Sequence, residues 1–299
     1  MAQTKKPLQI VLDSFTGYSE KKLTSLGFTF VPQLISIDEH TYQDGRDITL
    51  KQVVEKIKNA KKIHTSQVPQ GLLEETFAEL SKKFAHVIYI PINSGVSSTY
   101  QSAVQVSQKF PNVHIANVRL VGTALVDTAS RAIDDYEKNR DIKKTLTLIE
   151  SISHASHCYF APKNLEGFIR GGRLKGTKKF ILQKTGLIPR LVLRDEGIKV
   201  NGVKRSLAKN VFSSVEKIIH AIGQAQVHDY YWEIVHTFDQ DTIKIARQAL
   251  EAIGVIKPIE TPVPAIVAAH TGIGQLELTF DQNLPTVGAV NMGKNSWRA

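Results

Sequence analysis

The residues best equipped for chemistry lie in one stretch, Pro91-Ile92-Asn93-Ser94-Gly95-Val96-Ser97-Ser98-Thr99-Tyr100-Gln101-Ser102-Ala103. Asn93, Ser94, Ser97, Ser98 and Thr99 all carry side-chain hydrogen-bond donors. The apolar run from Val87 to Ile92 predicts a buried strand before it, and Tyr100, Ala103, Val106 and Phe110 recur at helical spacing after it. A hydroxyl-rich loop between a strand end and a helix start favours an anion, because the first helical turn carries unpaired N–H groups and partial positive charge. N-capping with a tight turn at Gly95 is the competing reading, although a cap uses only one or two such side chains. The segment Ile63-His64-Thr65-Ser66-Gln67-Val68-Pro69 repeats the theme, with a short apolar lead-in, hydroxyls at Thr65 and Ser66, and a helical pattern in Leu72, Leu73, Phe77, Leu80 and Phe84. Asp13 and Ser14 end the apolar run Leu8 to Leu12, where Asp13 either faces a ligand or satisfies nearby backbone N–H groups. His270 stands out among ten histidines because two glycines, in His270-Thr271-Gly272-Ile273-Gly274, allow a ligand to approach. Its alternative is a hydrogen bond to local backbone. Ser94 or Ser97 as nucleophile, His270 as base and Asp13 as its orienter would make an esterase-like or acyl-transferring triad. The Gly-x-Ser-x-Gly motif that often accompanies such a nucleophile is absent.

These residues need elements to position them. Leu8 to Leu12 reads as a strand of the parallel type, and Phe28 to Leu34 as a second strand bent at Pro32. Val113 to Val118 reads as another strand. Leu50 to Ile57 and Thr123 to Tyr136 read as helices. Alternation of strand and helix to about residue 155 predicts a parallel sheet covered on both faces, with the two hydroxyl loops at the ends of neighbouring parallel strands. The rhythm then changes. His157 to Ala161 reads as a strand, and Leu187 to Leu193 with Ile198 to Val203 as a hairpin around Asp195-Glu196-Gly197. Ser206 to Ala225 and Asp241 to Gly254 read as helices, and Tyr230 to Phe238, Ile266 to Ala269 and Leu276 to Phe280 as strands. The expectation is an α/β chain of two domains: a parallel-sheet α/β domain over 1–158 and an α+β domain over 159–299.

Composition narrows the function classes. Of 299 residues, 42% are hydrophobic and 22% charged, which is ordinary for a globular protein. One cysteine, Cys158, excludes an internal disulfide and fits a reducing compartment, and its apolar setting reads as packing. The start lacks the apolar core of a signal peptide and no apolar run approaches the ~20 residues of a membrane span, so a cytoplasmic location is expected. The net charge of +10 raises nucleic acid, an acidic partner or an anionic membrane surface. Its densest segment, Arg170 to Lys184, holds one aromatic, Phe180, so the interleaved stacking residues of a single-strand binder are missing. No nucleic-acid partner is expected. No Gly-x-Gly-x-x-Gly follows the first strand, no P-loop is present, and the histidines lack metal-ligand spacing with cysteine, so neither a cofactor nor a metal is expected.

Taken in order, the motifs resemble the DegV family of bacterial fatty-acid-binding proteins. The similar segments are Ile10 to Ser14, Tyr42-Gln43-Asp44-Gly45, Thr65 to Pro69, Asn93 to Ala103, Leu165 to Arg173 and His270 to Gly274, covering residues 8 to about 280 as a single unit. The resemblance implies a long-chain fatty acid in a tunnel between the two domains, with its carboxylate on Thr65 and Ser97 and with Ser94 and His270 close by. Ser66, Asn93, Ser98 and Asp13 are secondary candidates. It implies a non-catalytic protein that presents the bound acid to a fatty acid kinase for phospholipid synthesis, with transient contact at a membrane surface. Arg170, Arg173 and Arg205 are then candidates for docking that partner. Phe28, Phe30, Ile92, Val121, Leu125 and Ile266 are candidates for the tunnel wall that serve equally well as core. Ser98 stands where the family has glycine, Asn93 where it has serine, and Ile273 where it has proline.

Overall fold

The computed structural model describes residues 5–163, 186–272 and 274–282, with the backbone alone for 275–282. The first half contains β1 (Lys6–Asp13), α1 (Glu20–Ser25), β2 (Thr29–Val31), β3 (Leu34–Ile37), β4 (His40–Gln43), α2 (Leu50–Ile57) and β5 (Ile63–Ser66). It continues through α3 (Gln70–Lys83), β6 (Phe84–Ile90), α4 (Thr99–Ser107), β7 (Val113–Ile115), α5 (Thr123–Asn139) and α6 (Ile142–Ala155). The rest contains β8 (His157–Pro162), β9 (Ile188–Arg194), β10 (Gly197–Lys204), α7 (Leu207–Ile222), β11 (Tyr230–His236), α8 (Gln240–Glu251), β12 (Ile259–Pro262), α9 (Ala265–Thr271) and β13 (Gln275–Gln282).

The N-terminal sheet, in the order β2-β1-β6-β7, is parallel throughout. Its two inner strands are apolar at consecutive positions because both faces are covered, and the period of two divides them. Ile10, Leu12, Ile88 and Ile90 join Leu125, Ala129 and Ala132 of α5 on one side. Val11, Val87 and Tyr89 join Leu73, Phe77, Ala103 and Val106 of α3 and α4 on the other. The C-terminal α+β portion carries a sheet in the order β10-β9-β8-β13-β11-β12, antiparallel except for β11 with β12. Tyr159, Ala161 and Val192 face α7 and α8 in a core of their own, whereas Cys158, Phe160, Leu191 and Leu193 belong to the larger core shared with the N-terminal domain. The second sheet therefore turns one face toward the first.

Three expected elements differ. Phe28 to Leu34 is two strands in two sheets, because Pro32 has no N–H to continue a ladder: β2 stops at Val31 and β3 starts at Leu34. β5 is not a neighbour of β6 in the parallel sheet. It pairs antiparallel with β3, in the separate sheet β4-β3-β5. Ile266 to Ala269 lies inside a helix, α9, and not a strand. Its residues Ala265, Ile266, Ala268 and Ala269 are all buried, and a short run apolar on every side has no periodicity to separate the two. His270 accordingly sits in the last turn of a helix.

One contact ties the halves together at the hydroxyl loop. A Cβ built on Gly95 would collide with the backbone of Glu196 and Gly197, so two glycines meet main chain to main chain. Gly197 also has φ +104°, a region that side chains strain to enter. Ser94 Oγ donates to Asp195 O at 3.3 Å, and the Arg119 guanidinium pairs with the Asp195 carboxylate at 3.3 Å. The tip of the β9–β10 hairpin is thus gripped from two sides. Gly95→Ala is expected to push the tip away at a cost of about 1–3 kcal/mol, read as a lower denaturant midpoint and faster proteolysis near residue 195.

Candidate ligand-binding site

A cavity of about 320 Å³ opens where the ends of β5 and β6 meet β8, the hairpin and α9. That volume is at the small end of ligand pockets, roughly 300–1,000 Å³. Its apolar wall comes from Phe15, Ile92, Val96, Phe160, Leu193, Ile198, Ile266 and Val267. Its polar residues are Gln33, Thr65, Ser66, Gln67, Ser97, Ser98, His270 and Thr271. Apolar walls with a few convergent donors suit an amphiphile with one polar end.

The two hydroxyl loops are stitched together by α4. Thr99 Oγ1 accepts from Val68 N at 3.4 Å, and Ser102 Oγ donates to Gln67 Oε1 at 3.1 Å. Ser97 Oγ receives Thr99 N at 3.2 Å and lies 3.0 Å from Thr99 Oγ1. In the other loop, Thr65 Oγ1 is 2.5 Å from His270 Nε2, a contact between residues 205 positions apart. Each of the two hydroxyls therefore has a partner behind it. When Thr99 donates to Ser97, and His270 Nε2–H donates to Thr65, both hydroxyl protons are left for an acceptor in the cavity. Ser98 has φ −76°, right-handed and unstrained, so serine replaces glycine there without a positive-φ penalty.

The apolar wall hangs on two buried carboxyls. Asp13, with no exposure, accepts from Phe15 N at 2.9 Å, Ile92 N at 2.9 Å and Tyr89 Oη at 3.1 Å. Asp44, 4% exposed, accepts from Ile266 N at 2.9 Å. Phe15, Ile92 and Ile266 all line the cavity. Ser14 Oγ joins the two groups by donating to Asp44 O at 3.0 Å and accepting from Gln33 N at 2.9 Å. Burial pushes the Asp13 carboxyl up to about 6, against the pull of its N–H and Tyr89 donors. Burial, with the nearby Asp13, pushes Asp44 up to about 7.

Asp13 and Asn93 thus do not line the cavity. Asn93 is fully buried, donating from Nδ2 to Val118 O and accepting Gly95 N at Oδ1. Ser94 also lies outside the lining and serves the hairpin tip. Thr65, Ser66, Ser97, Ser98 and His270 do come together in the cavity. Of the groups considered for a triad, the Asp13 carboxyl holds two backbone N–H groups and the Tyr89 hydroxyl, Ser94 holds Asp195, Ser97 meets Thr99, and His270 Nε2 meets Thr65. Of the wall candidates, Ile92 and Ile266 line the cavity, while Phe28, Phe30, Val121 and Leu125 are core. Arg205 is exposed between β10 and α7; Arg170, Arg173 and the segment from Leu165 fall outside the described residues. Among the described residues no group of three or more His, Cys, Asp or Glu is placed to hold a metal, and no helix is long and apolar enough to cross a membrane.

The family model described as "Uncharacterised protein, DegV family" matches residues 7–282. The chain belongs to the DegV family. A DegV domain-containing protein of Mycoplasmopsis pulmonis is 22% identical over 276 residues, covering 91% of this chain and 94% of its own. The crystal structure of a fatty acid binding DegV family protein from Streptococcus agalactiae superposes with a TM-score of 0.82 at 22% identity, over 93% of this chain and 100% of that one. A stearic acid-binding protein from Eubacterium ventriosum gives 0.74 at 20% identity, over 92% and 98%. The segments that carry the DegV resemblance divide here between contact and support: Thr65, Ser97 and His270 reach the cavity, while Asp13, Ser14, Asp44, Thr99 and Ser102 hold what reaches it.

Because the carboxyl of Asp44 titrates near 7 when folded and near 3.9 when unfolded, the folded chain holds the extra proton between about pH 4 and 7. Its contribution to stability is full below that window and falls as pH rises through it. Asp44→Asn keeps an acceptor for Ile266 N without the titration. Its thermal stability relative to the parent chain is expected to rise by on the order of 2 kcal/mol from pH 5 to pH 8, compared by calorimetry.

Proposed function

We propose that this protein binds a long-chain fatty acid, with the carboxylate on the Thr65 and Ser97 hydroxyls and the acyl chain along the apolar wall. The observation that carries the reading is the pair of hydroxyls, each with a hydrogen-bond partner, among the polar residues of a cavity whose remaining wall is apolar. A carboxylate taken out of water needs several donors, and charge-assisted hydrogen bonds are the strong ones. His270 acts through Thr65, and Ser66 and Ser98 complete the polar rim. The chain contributes about 0.8 kcal/mol per buried CH₂, so chain length sets most of the affinity. The names of the Streptococcus agalactiae and Eubacterium ventriosum proteins support the same ligand class.

In this reading the protein is a cytoplasmic, non-catalytic carrier that uses no cofactor. It presents the acid, palmitate for instance, to a fatty acid kinase that phosphorylates the carboxyl for phospholipid synthesis, with brief contact at a membrane surface. Arg170, Arg173 and Arg205 are assigned to the kinase encounter. The division between the carboxylate-holding domain and the one that closes over the chain is taken at 158/159, inside β8, the first strand of the second sheet.

Mass spectrometry of an organic extract of the purified protein is expected to release a fatty acid, and calorimetric titration of delipidated protein to show palmitate or oleate binding. An empty extract together with no binding removes the reading. Ser97→Ala and Thr65→Val are each expected to weaken binding by about 1.5–3 kcal/mol, the worth of a hydrogen bond to a charged group. Unchanged affinity in both would relocate the head group. Burst release from a chromogenic acyl ester, lost in Ser97→Ala, would favour an esterase instead.

A further inference from the structure

We propose that Gln33 is a further head-group residue, whose carboxamide donates to the ligand's carboxylate and makes the cavity prefer an acid over an uncharged amphiphile. The proposal rests on the fatty-acid reading and extends it to a residue outside the hydroxyl loops.

Gln33 immediately precedes β3. The register places Leu34 opposite Ser66 and Ile35 opposite Thr65, so Gln33 falls one step beyond the ladder, opposite Gln67, on the face it shares with Thr65. It lines the cavity and is 1% exposed. Its main chain is fixed at both ends: N donates to Ser14 Oγ at 2.9 Å, and O accepts from Asp44 N at 2.9 Å. The side chain is treated differently. Among the described residues, Gln33 Oε1 is buried with no hydrogen-bond partner. Gln67, its counterpart just past the end of β5, has its Oε1 taken by Ser102. Of the two glutamines at this corner, one is spent on the scaffold and the other is held rigidly at the cavity wall with its amide unused.

A buried amide without a partner is costly, and native proteins rarely leave one unless a ligand, ion or water completes it. A half-turn of the amide exchanges Oε1 for Nε2 with little change of shape. The group can therefore present an N–H to a carboxylate held by Thr65, on the same face of the sheet, and by Ser97, which lines the same cavity. Three donors around one carboxylate exceed what a fatty alcohol needs, which is why this residue bears on selectivity and not on chain length.

The test compares palmitate with hexadecanol on delipidated parent protein, Gln33→Met and Gln33→Glu. Methionine keeps the volume and removes the hydrogen bond; glutamate keeps the shape and sets a negative charge against the ligand's. Palmitate affinity is expected to fall at least tenfold in Gln33→Met and further in Gln33→Glu, with hexadecanol affinity within about threefold of the parent in both. Gln33→Met should unfold no earlier than the parent, since it removes an unsatisfied buried group. Palmitate binding within twofold of the parent in Gln33→Met overturns the assignment. Equal losses for palmitate and hexadecanol also overturn it, because they describe a collapsed cavity. If the parent protein binds no palmitate, the fatty-acid reading itself falls.

Discussion

The cavity depends on two buried carboxyl groups that never touch its interior. Asp13 and Asp44 take the backbone N–H groups of Phe15, Ile92 and Ile266, three residues on three separate segments whose side chains form the apolar wall. A cavity lined by loops and strand ends has a problem that a packed core lacks: its backbone amides point inward with no ladder to join. Leaving them unpaired next to an acyl chain would cost about 1–3 kcal/mol each. Drawing them back onto acidic side chains behind the wall solves this, at the expense of burying the acids. Their upward-shifted protonation is the trace of that compromise. Ser14, next to Asp13 in the chain, ties that strand end to the main chain at Asp44 and Gln33.

The polar end follows a related logic with the sign reversed. There the side chains must face the cavity with protons to give. A hydroxyl gives its proton outward most readily when another donor feeds it from behind, and hydrogen bonds in such a chain polarise one another. The Thr99 N–H stands in that relation to Ser97, and His270 stands so to Thr65 when its Nε2 carries the proton. Thr99 and Ser102 also draw the Gln67–Val68 segment against α4. The crowd of hydroxyls in the sequence is therefore divided: some face the cavity, and the others hold those that do.

Much of this was legible in the primary structure, and the failures have physical reasons. The parallel strands were readable because strands buried on both faces are apolar at every position, as Ile10, Val11 and Leu12 are. The hairpin was readable from Asp195-Glu196-Gly197. Thr65, Ser97 and His270 stand out in the sequence by residue type and by the hydroxyls or glycines beside them. Asp13 and Asn93 were harder, since an acid or amide at a strand end looks the same whether it faces a ligand or catches an amide, and only the partners decide. The helix at Ile266 was hidden because a short segment apolar all round shows no period. The sheet of β5 is hidden in the sequence because its partner β3 lies beyond a proline that ends one strand and frees the chain for another. Gln33 gave no signal at all: a single glutamine after a proline acquires meaning only when its neighbours are spent.

The contact between Thr65 and His270 spans two-thirds of the chain, and it bears on how the protein comes into being. The hydroxyls emerge early in synthesis, and the histidine behind one of them emerges near the end. No early fragment contains both Thr65 and the α9 helix that carries Ile266 and His270. The cavity is therefore complete only once the last third of the chain has folded onto the first.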